Sequence, residues 1–165
     1  MTWHRLLCKN SEKWVFVLEK DFSWQSGFPV AGDYAFQDKT GTVRLILKTN
    51  GTIVVKKDYA WDGCTPKLCL LDVLIGIPDG VVDSRTRKPK TYYASLMHDA
   101  LYQFLPNGLP LTRKNADACF LKLMEETGFL PRYMYYLAVR LFGGFFANIG
   151  RRIRKPSGKK LPFTE

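Results

Sequence analysis

The sequence predicts an α+β protein: N-terminal antiparallel β-hairpins or sheet, then a three-helix C-terminal half. Two patterns carry this expectation. Over the first 60 residues, apolar residues come in short, partly alternating runs separated by turn signals. After residue 91 they recur at helical spacing, bracketed by start and stop signals. A third observation bounds the answer: 165 residues, 46% hydrophobic and 24% charged, suffice for one core and exclude disorder. The expected division is one α+β domain over 1–150 and a basic tail over 151–165.

Taken in order, Trp14-Val15-Phe16-Val17-Leu18 is an apolar run before a charged break. Tyr34-Ala35-Phe36 leads into Asp38-Lys39-Thr40-Gly41, a turn signal. The segment 42–48 alternates as a half-buried strand does, and Thr52-Ile53-Val54-Val55-Lys56 is its return. Asn50-Gly51 between them predicts a tight hairpin. Residues 58–90 read as irregular, with Trp61-Asp62-Gly63-Cys64-Thr65-Pro66 as a structured loop. Within that stretch 69–77 is apolar enough for a short buried helix or strand, and 84–89 reads as exposed loop. Tyr93, Leu96, Met97, Ala100, Leu101 and Phe104 share one face of a helix that Pro106, Gly108 and Pro110 end. Thr112 is the expected N-cap of a second helix carrying Ala116, Cys119, Phe120, Leu123 and Met124, closed by Gly128. Pro131 suits the first turn of a third helix reaching about residue 148.

The net charge of +10 favours anionic partners such as phospholipid headgroups or nucleic acid. No nucleic-acid reader motif accompanies it. Four cysteines, with no Cys-x-x-Cys pair and no zinc-type spacing, read as reduced thiols of a cytosolic setting. The N-terminus lacks the apolar core of a secretory signal. The apolar stretch 133–149 is broken by Arg140 and Gly143-Gly144 and falls short of the roughly 20 residues a spanning helix needs. It is expected as a buried helix, or as an interfacial helix anchored by the basic tail.

The chemistry-bearing residues lie on the first two helices. His98 stands about 10 Å of rise before the first helix ends, and Asp117 about 8 Å into the second. Antiparallel packing would bring them to one height, where the carboxylate can fix the imidazole tautomer and leave the other nitrogen to draw a proton from water. Tyr102 follows His98 by four residues and shares its face. Asp99, turned about 100° from His98, is placed to hold a cation beside it.

His98-Asp99-Ala100-Leu101-Tyr102, followed by Ala116-Asp117-Ala118-Cys119-Phe120, resembles the His-Asp-x-x-Tyr and Ala-Asp-x-x-Phe pattern of phospholipases A2, especially their compact bacterial and parvoviral forms. The resemblance implies an ester hydrolase in which His98 is the base, Asp117 orients it and Tyr102 supports it. It also implies calcium held by Asp99 together with a loop, here Asp62-Gly63, and an anionic phospholipid surface as partner. A second resemblance spans about residues 40 to 145. The Gly51-Thr52-Ile53-Val54-Val55 segment, the Asp62-Gly63-Cys64-Thr65-Pro66 loop, the His98–Tyr102 motif and residues 113–117 are similar, in that order, to a family of tailed phages and prophages with no assigned activity. It implies the cytoplasm of an infected or lysogenic bacterial host, or the virion, with virion or host proteins as partners.

Plainer readings stand beside these. His98 and Tyr102 also suit a core, Asp99 a surface position or a pair with Arg113, and Asp117 a pair with Lys114 or Arg113 at its helix start. Asp62-Gly63 also suits a simple turn. On those terms the chain is a non-enzymatic phage accessory or virion-associated protein whose polar network fixes a helical hairpin.

Overall fold

The computed structural model describes residues 16–61, 63, 68–70, 73–75, 82–141 and 160–162. Its strands, in chain order, are β1 (Phe16–Val17), β2 (Phe22–Gln25), β3 (Tyr34–Gln37), β4 (Val43–Leu47), β5 (Thr52–Val55), β6 (Ala60–Trp61), β7 (Leu68–Leu70), β8 (Val73–Ile75) and β9 (Lys160–Pro162). The helices are α1 (Tyr92–Phe104), α2 (Arg113–Glu126) and α3, described over residues 132–141. Antiparallel sheet first and helices after it make the α+β order that the sequence patterns predict.

The main sheet runs β2-β5-β4-β3-β9, every pairing antiparallel. Its register pairs Leu45 with Val55 and Leu47 with Ile53. All four side chains are buried, whereas Ile46 and Val54, opposite each other on the other face, are half-exposed. A one-residue slip would exchange the two faces, so burial fixes the register. The hairpin expected at Asn50-Gly51 forms between β4 and β5. Lys48 and Thr52 close it, Gly51 N–H donates to the Lys48 carbonyl at 2.8 Å, and Gly51 alone of the loop is left-handed, at φ +83°. This is a three-residue loop ending in a glycine bulge.

Three pairings join strands remote in sequence, and β1 with β6 is one of them. β2 pairs with β5 from the far side of the hairpin, and β9 pairs with β3 from the end of the chain. β9 thus lies inside the stretch expected as a tail; the remainder of 151–165 lies outside the described residues. The apolar stretch 69–77 resolves, over its described part, into the β7-β8 hairpin.

The helices lie on the sheet's buried face. Phe36 of β3 meets Phe104 of α1 at 5.5 Å between ring centroids, and Phe22 of β2 stacks on Tyr93 at 4.3 Å. Leu96, Met97, Ala100, Leu101 and Phe104 are fully buried on one face of α1. Leu105–Asn107 tightens into a 3-10 turn, and Gly108 at φ +79° reverses the chain. Thr112 then caps α2: its hydroxyl accepts from Asn115 N–H while the Asn115 side chain accepts from Thr112 N–H, a reciprocal capping box. At the other end Phe129 N–H reaches Met124 O and Gly128 N–H reaches Glu125 O, a Schellman closure around left-handed Gly128. These stops set the length of the α1–α2 hairpin, and so the height at which their side chains meet.

Candidate functional site

The α1–α2 hairpin places His98 against Asp117, with Nε2 3.1 Å from Oδ1. The Tyr102 hydroxyl donates to the same oxygen at 2.6 Å. Asp117 Oδ2 accepts from Arg140 Nη1 of α3 at 2.9 Å and faces Arg113 Nε at 3.8 Å. Arg113 Nε also donates to the Tyr102 oxygen at 2.9 Å. Arg113 Nη2 donates to the carbonyls of Val139 and Arg140, at 2.8 and 2.6 Å, and so ties α2 to α3. One carboxylate therefore joins all three helices.

Asp117 is 0% exposed. Burial alone would raise its pKa, but hydrogen bonds from His98, Tyr102 and Arg140 outweigh that and hold the carboxyl below the ordinary carboxylate value. An ionised carboxylate only accepts hydrogen bonds, so in the neutral imidazole the proton must sit on Nε2. The lone pair then falls on Nδ1, for which no hydrogen bond to another described residue is found. The imidazole packs between Tyr102 and Phe120, at 4.1 and 4.9 Å between centroids, and its side chain stays 17% accessible. Burial, then the bond to Asp117, pushes the Tyr102 phenol above its ordinary value, so it remains a donor. Arg140 is shifted upward chiefly by its bond to Asp117.

Of the residues the sequence singles out, the structure brings together His98, Asp117 and Tyr102. Asp99 turns elsewhere: the Tyr59 hydroxyl lies 3.0 Å from Asp99 Oδ2 and 2.8 Å from Gln103 Oε1. Asp62 lies outside the described residues, and Gly63 is left-handed at φ +78°. Calcium takes six to eight oxygen ligands. Among the described residues no group of three His, Cys, Asp or Glu side chains converges. Asp117 is joined by Arg113, the neighbour the sequence offers four residues earlier, and by Arg140, to which no sequence spacing points. No helix of the described residues is long and apolar enough to cross a membrane.

The chain matches no family model, no curated protein and no solved structure.

Proposed function

We propose that this chain is a phage-associated ester hydrolase in which His98 is the general base and Asp117 the group that positions it. The observation that carries the reading is the 3.1 Å contact from Nε2 to a buried, ionised carboxylate, which directs the basic lone pair to Nδ1 of a partly accessible ring. Nδ1 takes a proton from water as the water oxygen bonds to the ester carbonyl carbon. The tetrahedral adduct then expels the alkoxide, which takes that proton back from the imidazolium and leaves as alcohol beside the acid. Asp117 stabilises the transient positive charge on the ring. Tyr102, bonded to Arg113 and Asp117, keeps the carboxylate oriented. No step runs through calcium. Calcium belongs to the proposal with Asp99 and the Asp62-Gly63 loop as the residues that would hold it, and a calcium arm tests it separately.

The test is fatty-acid release from liposomes by wild type and His98→Ala, with calcium and with chelator. Turnover lost in the variant supports the base, and turnover lost on chelation supports the ion. No turnover by wild type in any condition ends the hydrolase reading.

One observation favours a second reading. Asp117 is clamped by two arginines as well as by His98, as expected of a purely structural knot. On that reading the chain is a non-enzymatic accessory or virion-associated protein that meets other virion or host proteins, and His98→Ala costs stability alone.

A further inference from the structure

Arg113 Nε stands 3.8 Å from Asp117 Oδ2, an ion-pair spacing too long for a hydrogen bond. Its hydrogen bonds go elsewhere. The Nε proton is donated to the Tyr102 oxygen of α1 at 2.9 Å, and Nη2 donates to the Val139 and Arg140 carbonyls of α3 at 2.8 and 2.6 Å. Two of these partners lead back to the carboxylate. Tyr102 donates to Oδ1 at 2.6 Å, and Arg140 donates to Oδ2 at 2.9 Å. One planar guanidinium thus sets a donor on each oxygen of Asp117 without bonding to either.

Donor chemistry gives this network a direction. Arginine only donates, so the Tyr102 oxygen accepts from Arg113 and its one proton is left for Oδ1. That same Oδ1 takes the Nε2 proton of His98 at 3.1 Å. Arg140 is set through its backbone: Arg113 holds its carbonyl, which fixes the point on α3 from which the side chain reaches Oδ2. With both oxygens held, the carboxylate is kept from turning about its Cβ–Cγ bond, and the direction from which it meets the imidazole is fixed. Lysine would keep the charge of Arg113, but a compact ammonium has no rigid fork to span Tyr102 and the α3 carbonyls.

We propose that Arg113 is a positioning residue of the His98 site, acting through Tyr102 and Arg140 to hold the Asp117 carboxylate against the imidazole. Its effect on rate rests on the hydrolase reading; its effect on the ring does not. The readout that needs no turnover is exchange of the His98 Nε2 proton with water, followed by its low-field proton NMR resonance. The chain has two histidines, so His98→Ala identifies that resonance by difference. Arg113→Lys is expected to speed the exchange by about tenfold or more with the circular dichroism spectrum unchanged, and to lower kcat on a soluble ester by about tenfold with little change in KM. Tyr102→Phe removes one of the two links, so the double variant is expected to fall short of the product of the single effects. Faster exchange in the variant without turnover by wild type upholds the positioning and ends only the hydrolase reading. Three results overturn the proposal: no His98-dependent resonance in wild type, exchange that Arg113→Lys leaves unchanged, or effects that multiply in the double variant. If Arg113→Lys does not fold, Arg113→Gln takes its place, and loss of fold in both assigns Arg113 to stability alone and overturns the proposal as well.

Discussion

Replacing Asp117 by alanine removes the one group that α1, α2 and α3 share. Asp117→Ala leaves His98 Nε2 without its acceptor, deprives the Tyr102 hydroxyl of its 2.6 Å bond, and sets two guanidiniums beside a small cavity. Removing one partner of a buried ion pair typically costs about 3–5 kcal/mol. Arg113 and Arg140 are 33% and 36% accessible and can rehydrate in part, so the lower end applies, about 3 kcal/mol. For a chain of this size that is a fall of about 6–12 °C in thermal midpoint. With a urea slope of about 2 kcal/mol per molar, it is a shift of about 1.5 M in unfolding midpoint. The loss is electrostatic and must depend on pH. The folded carboxyl titrates below its unfolded value, so its contribution is complete above that value and disappears as pH falls through the folded one. The gap between wild type and variant is therefore constant near neutrality and shrinks below about pH 4. Urea unfolding at neutral and acid pH measures both. A loss under about 1 kcal/mol, or a gap that persists undiminished in acid, refutes the reasoning.

Gly51→Ala places a Cβ 3.0 Å from the Phe28 carbonyl oxygen at φ +83°, so it is expected to destabilise by about 2 kcal/mol or more in the same urea experiment. Asp38 accepts from Thr40, Thr42 and Arg44; these bonds outweigh the opposing effect of burial and bring its pKa down to about 2. A carboxyl carbon-13 titration is expected to find that midpoint, with the turn's contribution intact above pH about 4 and lost as pH falls through about 2. Burial pushes the Cys119 thiol up to about 12, so iodoacetamide at pH 8 is expected to leave Cys119 unlabelled in native protein and to label it in urea, as peptide mapping would read.

What could be read from the sequence was what local periodicity encodes. Leu45, Leu47, Ile53 and Val55 alternate, and they form the buried face of β4 and β5. The spacing of Leu96, Met97, Ala100 and Leu101 marks the buried face of α1, and Thr112 and Gly128 bound α2 where capping chemistry puts them. His98 and Asp117 could be matched because helix rise and a short connection fix relative height. The rest depends on contacts that spacing does not carry. β2 and β9 exist through partners remote in sequence, and Arg140 reaches Asp117 only because α3 crosses the hairpin. Asn50-Gly51 announces a hairpin, but its loop length follows from packing: the Gly51 carbonyl accepts from Ser26 N–H and Oγ, which holds the Phe28 backbone against the glycine. Asp99 meets the Tyr59 hydroxyl, a neighbour 40 residues away that helix spacing does not name.

On the proposed reading His98 carries chemistry and not only structure. A water-soluble short-chain ester removes membrane docking from the question. The measurement is the rate of acid release by wild type against His98→Ala, each first shown folded by circular dichroism. The expected outcome is a measurable wild-type rate and a fall of about 100-fold or more in the variant, the usual scale of a lost general base. Equal rates from the two proteins, or none from either, would contradict it.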